Sequence, residues 1–278
     1  MSGKPTSPGV RVGWPRLVGI VNVTEDSFSD GGRYLATEDA LAHARRLRGE
    51  GADVIELGPA ASHPGAAAVT ADEERRRLAP VIDHLIAAGI PVSVDSFRAD
   101  TQRFATARGA RYLNDIRGFP HEDMYETLAA GDCRLIVMHS IQRDAPATKV
   151  ATDPAAVMAG IEQFFAQRLA ALQSAGVHPD RLIIDPGLGY FLGSNPTPSL
   201  TVLAGIGYLK ARFGLPVLIS PSRKSFLRTL TTREVAHTGP ASLAAELYAA
   251  WQGVDYIRTH DVAALKDALT VLDALAEQ

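Results

Sequence analysis

The chain has 278 residues, 46% hydrophobic and 21% charged, with 28 Lys and Arg against 31 Asp and Glu for a formal net charge of −3. This is an ordinary composition for a folded protein, with enough apolar material to offset chain entropy, which excludes disorder over most of its length. The slightly acidic balance argues against nucleic acid as a partner, and the single cysteine, Cys133, excludes an internal disulfide and a Cys-rich zinc site.

Residues 1–15 hold Lys4, Pro5, Pro8, Gly9, Gly13 and Pro15 and read as a flexible leader without the apolar middle of a secretory signal. The longest apolar runs, such as 17–23 and 134–138, fall far short of the roughly 20 residues of a membrane span. A cytoplasmic protein with no membrane partner is therefore expected. Residues 16–278 are expected to form one domain. Eight short apolar runs follow in order: Leu17–Val23, Asp53–Leu57, Pro91–Asp95, Tyr112–Ile116, Arg134–His139, Arg181–Asp185, Pro216–Ser220 and Asp255–Thr259. Such runs suit strands buried on both faces of a parallel sheet. Helical periodicity lies between them, as in Val157, Ile161, Phe164, Phe165, Leu169 and Leu172, and again after the last run in Val262, Leu265, Leu269, Leu272 and Leu275. Eight βα units in a chain of this length predict an α/β fold, a single (β/α)8 TIM barrel. An open doubly wound sheet is the alternative, but no GxGxxG follows the first run.

Seven of the runs end on or just before polar residues: Asn22, Asp95, Asn114-Asp115, His139, Asp185, Arg223-Lys224, and Arg258 with His260. A barrel gathers these ends on its C-terminal face, where active sites lie. Asp95, Asn114 and Asp185 supply acceptors and an amide donor, and a carboxylate such as Asp185 accepts two N–H bonds from an amino-lactam edge. Lys224, Arg258, His260 and His63 are cationic or protonatable and suit a phosphate or pyrophosphate. Gly187 and Gly189 let a flat ligand approach the backbone. Lys224-Ser225-Phe226-Leu227 opens a helix whose free N–H groups suit a carboxylate. Nothing requires Lys224 to be a Schiff-base lysine, and HExxH, Walker A and GxSxG motifs are absent. His43, His84, His121, His178 and His237 read as solvated surface residues. His139 reads equally as a ligand at the mouth or a satisfied strand residue, and Cys133 as a small buried hydrophobe.

The run from Gly19 to Gly32 (GIVNVTEDSFSDGG) resembles the opening signature of the dihydropteroate synthases. So do Val94-Asp95-Ser96, Leu113-Asn114-Asp115, Asp185-Pro186-Gly187-Leu188-Gly189, Ser222-Arg223-Lys224-Ser225-Phe226-Leu227 and Arg258-Thr259-His260-Asp261. The similarity runs in order over about residues 17–270. It implies a TIM barrel that condenses 6-hydroxymethyl-7,8-dihydropterin pyrophosphate with p-aminobenzoate to give 7,8-dihydropteroate and pyrophosphate, with Mg2+. By motif, Asp95, Asn114 and Asp185 are implied to hold the pterin, Lys224 to lie against its ring and Met138 to line the pocket. Asn22 is implied to ligate Mg2+, Arg258 and His260 to bind the pyrophosphate, and Ser225 to bind p-aminobenzoate. Phe28 and Asp30 fall on the first loop, which the resemblance implies closes over the site. Lys224, Asp95, Asp185 and Asp30 are the residues implied to be catalytic, and small-molecule substrates and a homodimer are the implied partners.

The second loop, Gly58-Pro59-Ala60-Ala61-Ser62-His63-Pro64-Gly65, departs from the usual Gly-Gly-Glu-Ser-Thr-Arg-Pro-Gly, with Ser62 for Thr and His63 for Arg. Tyr190-Phe191-Leu192-Gly193 stands where a Phe-Gly-Lys-Thr pattern is common. These departures, with Asp132-Cys133-Arg134-Leu135 and 239–247, resemble the plasmid-borne, sulfonamide-insensitive branch. There an aromatic beside the p-aminobenzoate site excludes the drug, and the matching region here is Tyr190-Phe191. The alternatives are a non-catalytic pterin-binding paralogue and a methyltransferase that moves a methyl group from methyltetrahydrofolate to a corrinoid. The first-loop signature and the Ser-Arg-Lys-Ser run speak against the methyltransferase.

Overall fold

A computed structural model describes residues 13–24, 33–60, 68–142 and 152–277. Residues 1–12 of the expected leader, and the expected site residues Phe28, Asp30, Ser62 and His63, lie outside the described residues. The eight runs form strands β1 (Arg16–Asn22), β2 (Val54–Gly58), β3 (Val92–Asp95), β4 (Tyr112–Asp115), β5 (Arg134–Met138), β6 (Leu182–Asp185), β7 (Leu218–Ile219) and β8 (Tyr256–Thr259). All pair in parallel, in the order β6-β5-β4-β3-β2-β1-β8-β7. A lone bridge between Ile184 and Val217 joins the two ends into a nearly closed barrel. β7 is shorter than the predicted Pro216–Ser220. Pro216 has no N–H for a ladder, and the N–H of Val217 is taken by the Asp255 side chain at 2.9 Å.

Helices α1 (Arg33–Gly49), α2 (Ala71–Ala87), α3 (Ala99–Ala107), α4 (Tyr125–Ala130) and α5 (Val157–Ser174) follow the first five strands. Two short helices, α6 (Pro196–Ala204) and α7 (Ile206–Phe213), follow β6; α8 (Ser225–Thr231) and α9 (Gly239–Trp251) follow β7, and α10 (Val262–Ala276) follows β8. The predicted apolar face of α5 is buried in full. That of α10 is buried only at Val262, Leu265 and Leu269. Leu275 is 65% exposed. His43 is also half-buried rather than solvated, with its ring nitrogen 3.2 Å from the Ile20 carbonyl.

Strand side chains alternate faces. One set packs outward against the helices in a continuous core with Leu57, Leu113, Val137, Ile184 and Ile257. The other set faces into the barrel. Val18, Val54, Tyr112, Ile136, Ile183, Leu218 and Tyr256 form an apolar plug there. Two residues further along lie Ile20, Glu56, Asn114, Met138, Asp185, Ser220 and Arg258, a largely polar layer above the plug. At the opposite, N-terminal face a cavity of about 480 Å³ opens among Arg16, Arg134, Lys210 and Tyr256. Lys210 is paired there with Asp255 at 2.6 Å, and Arg134 donates to the Tyr256 hydroxyl.

Candidate active site

Strand register sets the polar layer at the mouth. Asp95 is the ladder partner of Asn114, and Met138 that of Asp185. Asn114 is fully buried, yet neither its Nδ2 nor its Oδ1 has a hydrogen-bond partner among the described residues. Asp185 Oδ1 accepts the Gly187 N–H at 2.8 Å, while its buried Oδ2 has no hydrogen-bond partner among the described residues. Buried polar atoms are nearly always satisfied. Three open ones, two acceptors and a donor, therefore mark a place where a polar ligand completes the bonding.

Arg258, expected as a cation for the pyrophosphate, is buried in the layer. Its Nη1 donates to Glu56 Oε1 at 2.8 Å, and Nη2 lies 3.6 Å from Asp185 Oδ2. Glu56 also accepts from the Ser93 hydroxyl at 3.2 Å. Sequence reasoning missed Glu56, which stands two residues before the end of its strand. Burial raises Asp95 to a pKa of about 7, with the charge of Glu56 adding to the effect. Burial also raises Asp185, against the pull of Arg258. Lys224 falls to about 8, through burial and then repulsion by Arg258. Its ammonium sits 4.7 Å from the centre of the Phe191 ring.

Two histidines differ from expectation or settle an open choice. His260 was expected as a protonatable group, but burial and the fields of Arg223, Lys224 and Arg258 push its pKa down to about 3, so it is neutral. The Ser222 hydroxyl accepts the His260 backbone N–H and lies 3.0 Å from Nδ1. That pairing suits the tautomer with Nε2–H free to donate. His139 is a satisfied buried residue, with Nδ1 3.2 Å from the Pro186 carbonyl and its ring edge-on to Phe164.

One rim is apolar. Ile116, Met138 and Phe191 pack together, with Phe97 and Tyr190 half-buried against them. Phe97 and Ile116 were not foreseen, although each lies within two residues of a strand end. The turn after β6 abuts α8: a Cβ on Gly189 would stand 2.9 Å from Ser225 Oγ. This brings Tyr190, Phe191, Lys224 and Ser225 to one side of the mouth. Among the described residues no group of three or more His, Cys, Asp or Glu could hold a metal. Asn22 ends β1 with an exposed side chain, near Gly58 of β2. One neutral oxygen fits Mg2+, which keeps several waters and binds largely through substrate phosphates.

The profile of the family described as pterin binding enzyme matches residues 18–260. A dihydropteroate synthase type-2 of Escherichia coli is 55% identical over 94% of this chain and 96% of its own length. The chain belongs to the dihydropteroate synthase family. A solved dihydropteroate synthase of Xanthomonas albilineans with 4-aminobenzoic acid superposes with a TM-score of 0.85 at 40% identity, covering 95% of this chain and 93% of that one. Another structure of the Xanthomonas enzyme, with 7,8-dihydropteroate, gives 0.81 at 38% identity over 95% and 94%. Among dihydropteroate synthases, then, this one has its polar layer, apolar rim and Ser225 turn on one face of the barrel.

Proposed function

We propose that the chain condenses 6-hydroxymethyl-7,8-dihydropterin pyrophosphate with p-aminobenzoate, giving 7,8-dihydropteroate and pyrophosphate. The observation that carries this is the set of open buried atoms on Asn114 and Asp185, whose two acceptors and one donor complement the amino-lactam edge of a pterin. Family membership and the relatives' bound 4-aminobenzoic acid and 7,8-dihydropteroate support it.

Asp95, Asn114 and Asp185 orient the ring, Met138 lines its pocket, and Lys224 lies against its plane. Arg258 and the Nε2–H of His260 receive the pyrophosphate, with His63 assigned to the same end as a protonatable group and Asp30 assigned by resemblance to the loop that closes over the site. Asn22 would hold Mg2+, which when bound neutralises charge on the leaving pyrophosphate. The exocyclic C–O bond breaks, and its electron pair leaves with the pyrophosphate. The electron-poor methylene is stabilised by delocalisation into the ring. The neutral arylamine of p-aminobenzoate, held by Ser225 and Phe28 and walled by Tyr190 and Phe191, then forms the C–N bond. Its nitrogen afterwards gives up a proton to water. Positioning supplies much of the rate, and no strong base is required.

The aromatic pair Tyr190-Phe191 beside Ser225 supports reduced sulfonamide sensitivity. Exposed Tyr208, Tyr248 and Trp251 on α7 and α9 support a homodimer. The test is growth of a strain lacking its own dihydropteroate synthase. Growth with this gene, in the presence of a sulfonamide, is expected; no growth, and no pyrophosphate release by the pure protein, overturns the proposal.

A further inference from the structure

The turn that carries Arg258 and His260 is held from behind. Between them, Thr259 is fully buried and outside the mouth. Its hydroxyl accepts the Asp261 backbone N–H at 3.2 Å, and the carboxyl group of Glu246 on α9 lies beside it. Glu246 is 2% exposed, and its Oε1 has no hydrogen-bond partner among the described residues. The charge that bears on it is that of Asp261, at the head of α10, which is also negative. Among the described residues, the other helices packed on α9, namely α6 and α8, bring it no compensating charge. A carboxylate so placed loses its hydration with nothing in return. The group therefore stays protonated, with burial raising its pKa to about 8. One turn earlier on α9, Ser242 Oγ accepts the N–H of Arg223 at 3.0 Å. Arg223 has a φ of 59° and immediately precedes Lys224. The helix thus braces, from outside the barrel, both segments that bring cations to the mouth.

We propose that Glu246 is a positioning residue, a buried carboxylic acid that holds the Arg258-Thr259-His260 turn in the form that receives the substrate's pyrophosphate. The inference rests on the function proposed above, but it predicts binding as well as turnover. A carboxyl that ionises near pH 8 is about nine-tenths charged at pH 9, so affinity carried by the neutral form falls about tenfold from pH 7. Gln keeps the shape and the acceptor but never ionises. Lys224 also titrates near pH 8, but its contribution is common to both proteins and cancels in the comparison.

The test is calorimetric titration of the full chain with inorganic pyrophosphate and Mg2+ at pH 7 and pH 9, alongside steady-state kinetics and melting temperatures. Glu246→Gln is expected to bind within about twofold of the parent at pH 7 and to escape about a tenfold loss that the parent suffers at pH 9. Glu246→Ala is expected to raise the KM for the pterin substrate about tenfold and leave that for p-aminobenzoate unchanged. The inference is overturned if parent and Gln variant share one pH dependence, if Gln weakens binding at pH 7 as Ala does, or if Ala leaves the pterin KM unaltered. Pyrophosphate binding with the expected pattern, in a protein that makes no dihydropteroate, would overturn the proposed function and leave the role of Glu246 standing.

Discussion

Asp185→Asn changes almost no volume and reverses one hydrogen-bonding atom. Oδ1 of Asp185 is committed to the Gly187 N–H at 2.8 Å, and Oδ2 is the open acceptor, 3.6 Å from Arg258 Nη2. In the variant the amide oxygen keeps the Gly187 bond. The NH2 group then stands where the ligand needs an acceptor and where Arg258 needs an anion. A hydrogen bond to a charged group contributes about 1.5–3 kcal/mol. At about 1.4 kcal/mol per tenfold, affinity for the dihydropterin pyrophosphate falls about 10- to 150-fold. Stability is expected to change little. Burial already disfavours the charge of Asp185, and Arg258 retains Glu56 at 2.8 Å. The assay is calorimetric titration with the pterin substrate in the absence of p-aminobenzoate, with melting curves of both proteins. A loss below about threefold, which is under 1 kcal/mol, refutes the contact. So does a loss that merely tracks a lower melting temperature.

Gly189 has a φ of 65°, and a Cβ there would crowd Ser225 Oγ. Gly189→Ala is expected to cost about 1–2 kcal/mol in backbone strain and to raise the KM for p-aminobenzoate selectively; an equal rise for the pterin argues against the placement of Ser225. Tyr190→Gly is expected to tighten sulfonamide inhibition by about tenfold, or ~1.4 kcal/mol, with the p-aminobenzoate KM steady. An unchanged inhibition constant removes Tyr190 from drug discrimination. Unliganded stability is expected to fall between pH 6.5 and 8. There Asp95, raised to about 7, and Glu246, raised to about 8, keep protons that the unfolded chain has already released. Lys224, lowered to about 8, and His260, lowered to about 3, act with the opposite sign, but only above pH 8 and below about pH 6.5. A melting temperature that rises across the window refutes the assignment.

The barrel was legible because its signal is local. Each strand is a short branched run with polar punctuation, and the punctuation falls at the mouth. Glu56 escaped notice because its run ends on Leu57 and Gly58 and carries no polar terminus. Its membership of the polar layer depends on register with β1 and β3, where it pairs with Ile20 and Ser93. The neutrality of His260 was hidden for another reason: it arises from burial, with Arg223, Lys224 and Arg258 adding to it across the mouth. Glu246 sits in the apolar run Leu243–Trp251, where one acid reads as a solvated point on a helix face. Only the packing of α9 on the β8 turn shows that it is buried. His139 had two equal readings in sequence, and a carbonyl 3.2 Å from its ring settles them.

The lone Ile184–Val217 bridge divides the mouth unequally. Asp95, Asn114, Arg258 and Glu56 stand on strands stitched by continuous ladders. The turn bearing Tyr190 and Phe191 and the turn bearing Lys224 and Ser225 flank the loosely sewn seam. A substitution in either turn can be absorbed by slight parting there, without disturbing the ladders that fix the heterocycle's floor. Selectivity for the second substrate, at Tyr190, Phe191 and Ser225, thereby shares only Asp185 and Lys224, beside the seam, with recognition of the first. Such a barrel can revise what it refuses while preserving what it must hold.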